Sequence, residues 1–175
     1  MSMLGLRSTL AALLLGAAAT LVPAVDESEL EAAIVYNVLM FADWPPEVLA
    51  TGAPVRLCVA AGGGLAQAMK ALQGRDLRGA PMQTQDLGST PPARPCHAVF
   101  VDGSSRPHLS PLLKTLRGGG ALIISDDAAA PADDAGVVLS RAGTRYVFDI
   151  NMQPVKQARV RLSSKLLRLA RTVRE

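Results

Sequence analysis

Few side chains in this 175-residue sequence are of a type and spacing that could do chemistry. The soft ligands number four, Cys58, Cys96, His97 and His108, and they lack the spacing of a zinc site. No serine stands in a Gly-x-Ser-x-Gly elbow, and neither histidine has a signature tying it to a nucleophile, so a hydrolase is not supported. Gly62, Gly63 and Gly64 occupy the place of a phosphate-binding turn. However, Gln67 stands where G-x-G-x-x-G needs its last glycine, and no Lys-Ser or Lys-Thr follows. A tight turn using glycine's freedom at positive φ is the simpler account. Asp126, Asp127, Asp133 and Asp134 could offer oxygens to a hard cation, although a solvated acidic loop explains them as well. These residues assign no catalytic group, no cofactor and no metal, and the chain is not expected to be an enzyme.

The N-terminus points instead to export. Arg7 precedes an apolar core from Leu10 to Leu15, an alanine run follows, and Val22-Pro23-Ala24 offers a small-residue cleavage site. The apolar stretch is at the bottom of the roughly 17 to 25 residues that a membrane span needs, and Pro23 breaks it. Residues 1–24 are therefore expected to be a signal peptide and residues 25–175 one soluble domain. An even cysteine count in an exported chain reads as one disulfide, Cys58 to Cys96. No Cys-x-x-Cys pair exists for thiol catalysis.

The elements that would hold these residues alternate. Asp26 and Glu29 resemble a capping box, and Leu30, Ile34, Val38 and Phe41 recur at helical spacing until Pro45 and Pro46, predicting a helix over 28–42. A strand over 55–60, the glycine turn and a helix over 65–72 follow. A weaker strand is expected at 82–87, then strands at 98–101 and 121–124 around a helix at 109–116 closed by Gly118 to Gly120. Strands over 137–141 and 145–150 flank Ala142-Gly143-Thr144 as a hairpin. Leu162, Leu166, Leu169 and Val173 predict a terminal amphipathic helix. The fold class expected is α/β: a single domain whose mostly parallel sheet is flanked by helices, with a C-terminal antiparallel hairpin at its edge.

Charge narrows the partners. The net charge is +3, and loss of Arg7 with the signal segment leaves +2, which does not suggest nucleic acid. Seven basic residues and no acidic one lie between Lys156 and Arg174. They suit an anionic membrane surface, an acidic partner face or a solvated helix end.

Ala33-Ile34-Val35-Tyr36-Asn37 followed by Phe41-Ala42-Asp43-Trp44-Pro45 resembles the opening helix of the YfiR family of periplasmic proteins. Leu57-Cys58-Val59 resembles that family's first strand, the stretch from Cys96 to Val101 its cysteine-led strand, and Leu122 to Asp126 the strand ending in Asp. Phe148 to Asn151 and Ser163 to Ala170 resemble its closing segments. Glu31 stands where the family often has Lys, Val38 where an aromatic is common, and Ala135 where Gly-Gly is usual before Val137. The resemblance implies a non-enzymatic periplasmic regulator that binds the periplasmic part of a membrane-anchored diguanylate cyclase and represses it. Exposed aromatic and arginine side chains are favoured at binding hot spots, which makes Tyr36 and Trp44 on the first helix, or Lys165, Arg168 and Arg171 near the end, the candidate partner surface. Trp44 could equally be core. The rival class is a periplasmic small-molecule-binding sensor, with a ligand in the crevice at the strands' carboxyl ends. Oligomeric state is open, a homodimer included.

Mass spectrometry of fractionated cells tests the N-terminal reading. The protein outside the cytoplasm is expected to start at Val25, and an intact N-terminus in the membrane fraction would contradict it.

Overall fold

The computed structural model describes residues 26–129 and 134–175. The expected signal segment and Asp133 lie outside the described residues. Helix α1 runs Glu27–Met40, with the Asp26 carboxylate accepting the Ser28 N–H at 2.8 Å as its N-cap. It ends before the expected residue 42 because Ala42–Asp43 (β1) pairs antiparallel with Arg161–Leu162 (β9). The strand Val55–Ala60 (β2) leads through Gly62 into α2 (Gly63–Lys70). Asp76–Leu77 (β3) and Ala80–Asp86 (β4) form a small antiparallel turn, and Ala98–Val101 (β5), α3 (Arg106–Gly118) and Leu122–Ser125 (β6) follow. Val137–Ala142 (β7) and Arg145–Asn151 (β8) make the hairpin around Gly143, whose φ of 65° suits glycine. Then come α4 (Met152–Gln157), β9, α5 (Ser164–Leu169) and Thr172–Arg174 (β10).

Eight of the described strands form one sheet in the order β10-β8-β7-β6-β5-β2-β4-β3. The run β7-β6-β5-β2-β4 is parallel throughout, which confirms the mostly parallel α/β architecture. Its central strands β2, β5 and β6 are apolar on both faces, as strands buried on both sides must be. Leu57, Val59, Phe100, Leu122 and Ile124 enter a core roofed by α1 and α2, with α4 and α5 completing it. Cys58, Val99, Val101 and Ile123 enter a second core under Leu109, Leu112 and Leu113 of α3. Gly136 precedes β7 where a Cβ would lie 2.7 Å from Leu122 Cδ1 and 3.0 Å from Val155 Cγ2, so any side chain there would force these buried neighbours to shift.

Two details differ from expectation at the C-terminus. The hairpin is not the sheet's edge, because β10 pairs parallel with β8 outside it. The terminal helix is short: Ala170 is already extended, at φ −66° and ψ 142°, and the Arg171 N–H donates to the Phe148 carbonyl at 2.9 Å. The Arg171 guanidinium also chelates Asp149, with Nε 3.0 Å from Oδ1. Together these contacts convert the last apolar position, Val173, from a helix face into an edge strand. Leu162 likewise falls in β9, leaving only Leu166 and Leu169 of the stripe on the helix.

Cys58 on β2 and Cys96 just before β5 are bonded, with Cα atoms 5.8 Å apart and a separation of 38 residues. Replacing both with Ser is expected to lower stability by up to about 4 kcal/mol, the chain-entropy ceiling for such a loop. The sheet should persist, because both cores remain. Thermal melting by circular dichroism checks the loss, and two alkylatable thiols in periplasmic protein would refute the bond.

Candidate functional site

The chain leaves β2 toward β4 on one side, then returns to β5 and proceeds to β6 on the other, so β2 and β5 flank the switch point of the sheet. In folds of this class the crevice beyond such a point is the usual ligand site. Here carboxylates line it, leaving an open depression bordered by Asp102, Ser104, Asp126 and Asp127. Asp102, directly after β5, accepts the Gly62 N–H at 2.9 Å on Oδ2, and the Ser105 N–H at 2.6 Å and the Ser104 hydroxyl at 2.9 Å on Oδ1. Its carboxylate takes the place a phosphate would take at the start of α2. Burial works against this charge, yet the hydrogen bonds from Ser105, Gly62 and Ser104 outweigh it and hold Asp102 below the usual carboxylate range. Beside it, Asp126 Oδ1 accepts the Gly103 N–H at 2.7 Å. The Ser125 hydroxyl, fully buried, bonds to the Val101 carbonyl at 3.0 Å. The crevice is therefore acidic and its loops are clamped by their own carboxylates, which repels anionic ligands.

Glu31 of α1 adds to this acidity. It is only 6% exposed, and its Oε1 is buried with no hydrogen-bond partner among the described residues. The Tyr146 hydroxyl serves Glu27 at 2.9 Å and lies 3.5 Å from Glu31 Oε2. Burial first, and then Asp126, push Glu31 up to about 7. Asp126 is raised mainly by burial as well. Asp102 did not stand out in the sequence, and Glu31 did so only as a departure from the Lys common in the family. The signal available was a glutamate between Leu30 and Ala32 inside an apolar helix, and an aspartate immediately after an apolar strand.

The other acidic residues are structural. Asp127 pairs with Arg106 at 3.5 Å, and Asp134 pairs with Arg106 and with Arg117, the latter at 3.0 Å. Among the described residues, no group of three or more His, Cys, Asp or Glu side chains is arranged to hold a metal ion. His108 is exposed on α3. His97 lies at the opposite end of the sheet from the crevice, with its Nδ1 accepting the Arg56 N–H at 2.9 Å and its ring edge-on to Trp44 at 6.2 Å.

The five residues expected at a partner surface do not form one patch. Tyr36 donates its hydroxyl to the Asp76 carbonyl and lies under the Arg75 guanidinium at 4.4 Å, pinning β3 to α1. Trp44 is 7% exposed and belongs to the core. Arg171 is held by Asp149 at the sheet edge. Lys165 and Arg168 are exposed on α5, with the Lys165 ammonium 5.6 Å from the Phe41 ring. Between α1 and α5 a groove of about 280 Å³ is lined by Ile34, Phe41, Phe148, Lys165, Leu166 and Leu169. Leu30, Leu169 and Val173 are exposed by 41%, 64% and 37%, and of these Leu169 lines the groove. Ile34 and Phe41 of α1 thus face this groove, Val38 lines it while remaining buried, and Ala32, Val35 and Leu39 enter the core.

A family model described as YfiR/HmsC-like matches residues 28–171. The chain belongs to this family. Membership supports a regulatory protein of the periplasm tied to diguanylate cyclase signalling in general. No curated protein matches the chain. A solved structure of a conserved domain protein from Vibrio cholerae O1 biovar El Tor str. N16961 is similar in fold, with a TM-score of 0.53 and 8% identity. The similarity covers 85% of this chain and 60% of that one, so the chain spans well under the whole of its structural neighbour. Among the described residues of this YfiR/HmsC-like protein, no helix is long and apolar enough to cross a membrane.

Burial, and then the nearby Arg56, pull His97 down to about 4 from its ordinary 6.5. A base whose folded pKa is depressed contributes stability above its unfolded pKa and loses it on acidification. His97 is expected to stay neutral at about pH 5 and to withdraw stability as pH falls through the window from 6.5 toward 4. Imidazole chemical shifts across an acid titration check this, and a His97 midpoint near 6.5 would contradict it.

Proposed function

We propose that this protein is a periplasmic repressor that binds the periplasmic region of a membrane-anchored diguanylate cyclase and lowers cyclic di-GMP without touching the nucleotide. The observation that carries the reading is the family match over nearly all the described chain. The geometry agrees with a binding role: an apolar groove with a basic rim suits an amphipathic, acidic segment of a partner. Repression would work by population shift, the protein favouring the inactive arrangement by its difference in affinity for the two states. The sensor alternative is weaker for an anionic ligand, because the crevice is lined by Asp102, Asp126 and Asp127. The surface proposed is the groove between α1 and α5, with Leu169 as its apolar anchor and Lys165 and Arg168 as its cationic rim.

Deleting the gene is expected to raise cellular cyclic di-GMP, while the purified protein has no cyclase or phosphodiesterase activity. Leu169→Asp, alone or with Arg168→Glu, should weaken cyclase binding by about 2 kcal/mol or more, roughly 30-fold. Its melting temperature should be nearly unchanged, since both side chains are exposed. Unchanged cyclic di-GMP in a deletion strain with a demonstrably active cyclase defeats the repressor reading. Retained repression by both variants would move the contact surface elsewhere.

A further inference from the structure

The first two turns of α1 lie over the switch-point crevice. Ser28 Oγ stands 3.2 Å from where a Cβ on Gly64 would be, so the helix start abuts the β2–α2 turn. One turn further on, Glu31 is turned inward, more than nine-tenths buried, with Oε1 unpartnered. The groups that face it are nearly all of one sign. Asp126 comes from the end of β6, Asp102 from the end of β5 and Glu27 from α1 itself. The Tyr146 hydroxyl comes from β8 and is shared, lying 2.9 Å from Glu27 Oε1 and 3.5 Å from Glu31 Oε2. Arg141 of β7, the cation on this side of the hairpin, also pairs with Glu27. The α2 helix brings no titratable group before Lys70, which pairs with Asp86 at 3.0 Å.

We propose that Glu31 is a proton-binding site that seats the N-terminal half of α1. With its proton on, the carboxyl is neutral and tolerates a site with no full donor and three neighbouring carboxyl groups. With its proton off, a buried anion has no cation and only the long hydrogen bond from the Tyr146 hydroxyl at 3.5 Å, and the helix start is pushed from the crevice. The raised affinity for the proton, about 7 against an ordinary 4.5, agrees with this geometry. Since the folded chain holds the proton more tightly than the unfolded chain, Glu31 withdraws stability as pH rises from 4.5 toward 7, the reverse of His97. The same helix carries Ile34 and Val38 on the groove side, with Phe41 at its end, so occupancy of the groove and of the proton site are linked reciprocally. The proton site is a property of this chain alone and does not depend on the cyclase reading.

Carboxyl-carbon NMR titration of the native exported chain reads the site directly. It is expected to show a Glu31 midpoint near neutrality. After correction for intrinsic rates, amides of the first two turns of α1 should exchange faster at about pH 8 than at about pH 6, relative to β5 and β6. Glu31→Gln should abolish that difference and raise the melting temperature at about pH 8 by a few degrees. If Glu31→Gln fails to fold, Asp126→Asn removes the largest like charge and should move the Glu31 midpoint down. A midpoint at the ordinary carboxylate value, or α1 protection indifferent to pH, overturns the proposal.

Discussion

Everything in this fold follows from the central parallel strands being apolar on both faces. Leu57 and Val59 point one way and Cys58 and Ala60 the other, and the same alternation runs through β5 and β6. Such a sheet must be covered twice, because a bare face would leave several large side chains in water at roughly 1.5–3 kcal/mol each. The two crossovers supply the covers on opposite faces, α2 with α1 on one and α3 on the other. This arrangement creates the switch point between β2 and β5. The disulfide from Cys58 to Cys96 lies within the α3-covered core and ties the same two strands.

The switch point brings together backbone N–H groups that need acceptors. A nucleotide-binding relative of this topology would leave them for a phosphate, whereas here Asp102 and Asp126 satisfy them. Closing the loops from within makes the crevice rigid and acidic. The accumulated negative charge then falls on Glu31, the one carboxyl there that no N–H group compensates. A structural solution at one end of the sheet has thereby produced an ionisable group sensitive to neutral pH. The opposite end uses the same logic with the other sign, where His97 is kept neutral by burial and accepts a backbone N–H.

Helix α1 has two jobs, and its apolar residues divide between them. Val35 and Leu39 are core, Ile34 and Phe41 face the groove beside α5, and Val38 touches both. A helix apolar around most of its circumference must be covered on more than one side. The short α5 covers part of the second side and leaves Leu169 in water. The basic character of the C-terminal segment is likewise divided, since Arg171 and Lys156 are engaged with Asp149 and Glu175. Lys165 and Arg168 stay at the groove rim.

Local chemistry in the sequence was enough for the elements and their alternation. Apolar runs bounded by glycine and proline marked β2, β5 and β6, the Asp26 cap marked the start of α1, and the paired cysteines marked the covalent tie. Such signals are carried within a few residues, so no tertiary information is needed to read them. The ordered short motifs also sufficed to place the chain in its family. Only the tertiary structure decided which side of α1 is core, because a stripe of period 3.6 identifies a helix without saying what lies against each face. It alone turned Val173 from helix to edge strand, through hydrogen bonds to residues more than twenty positions away. It also decided the site. Asp102, Asp126 and Glu31 are 24 to 95 residues apart in sequence, and their mutual repulsion exists only when the ends of two strands and a helix meet.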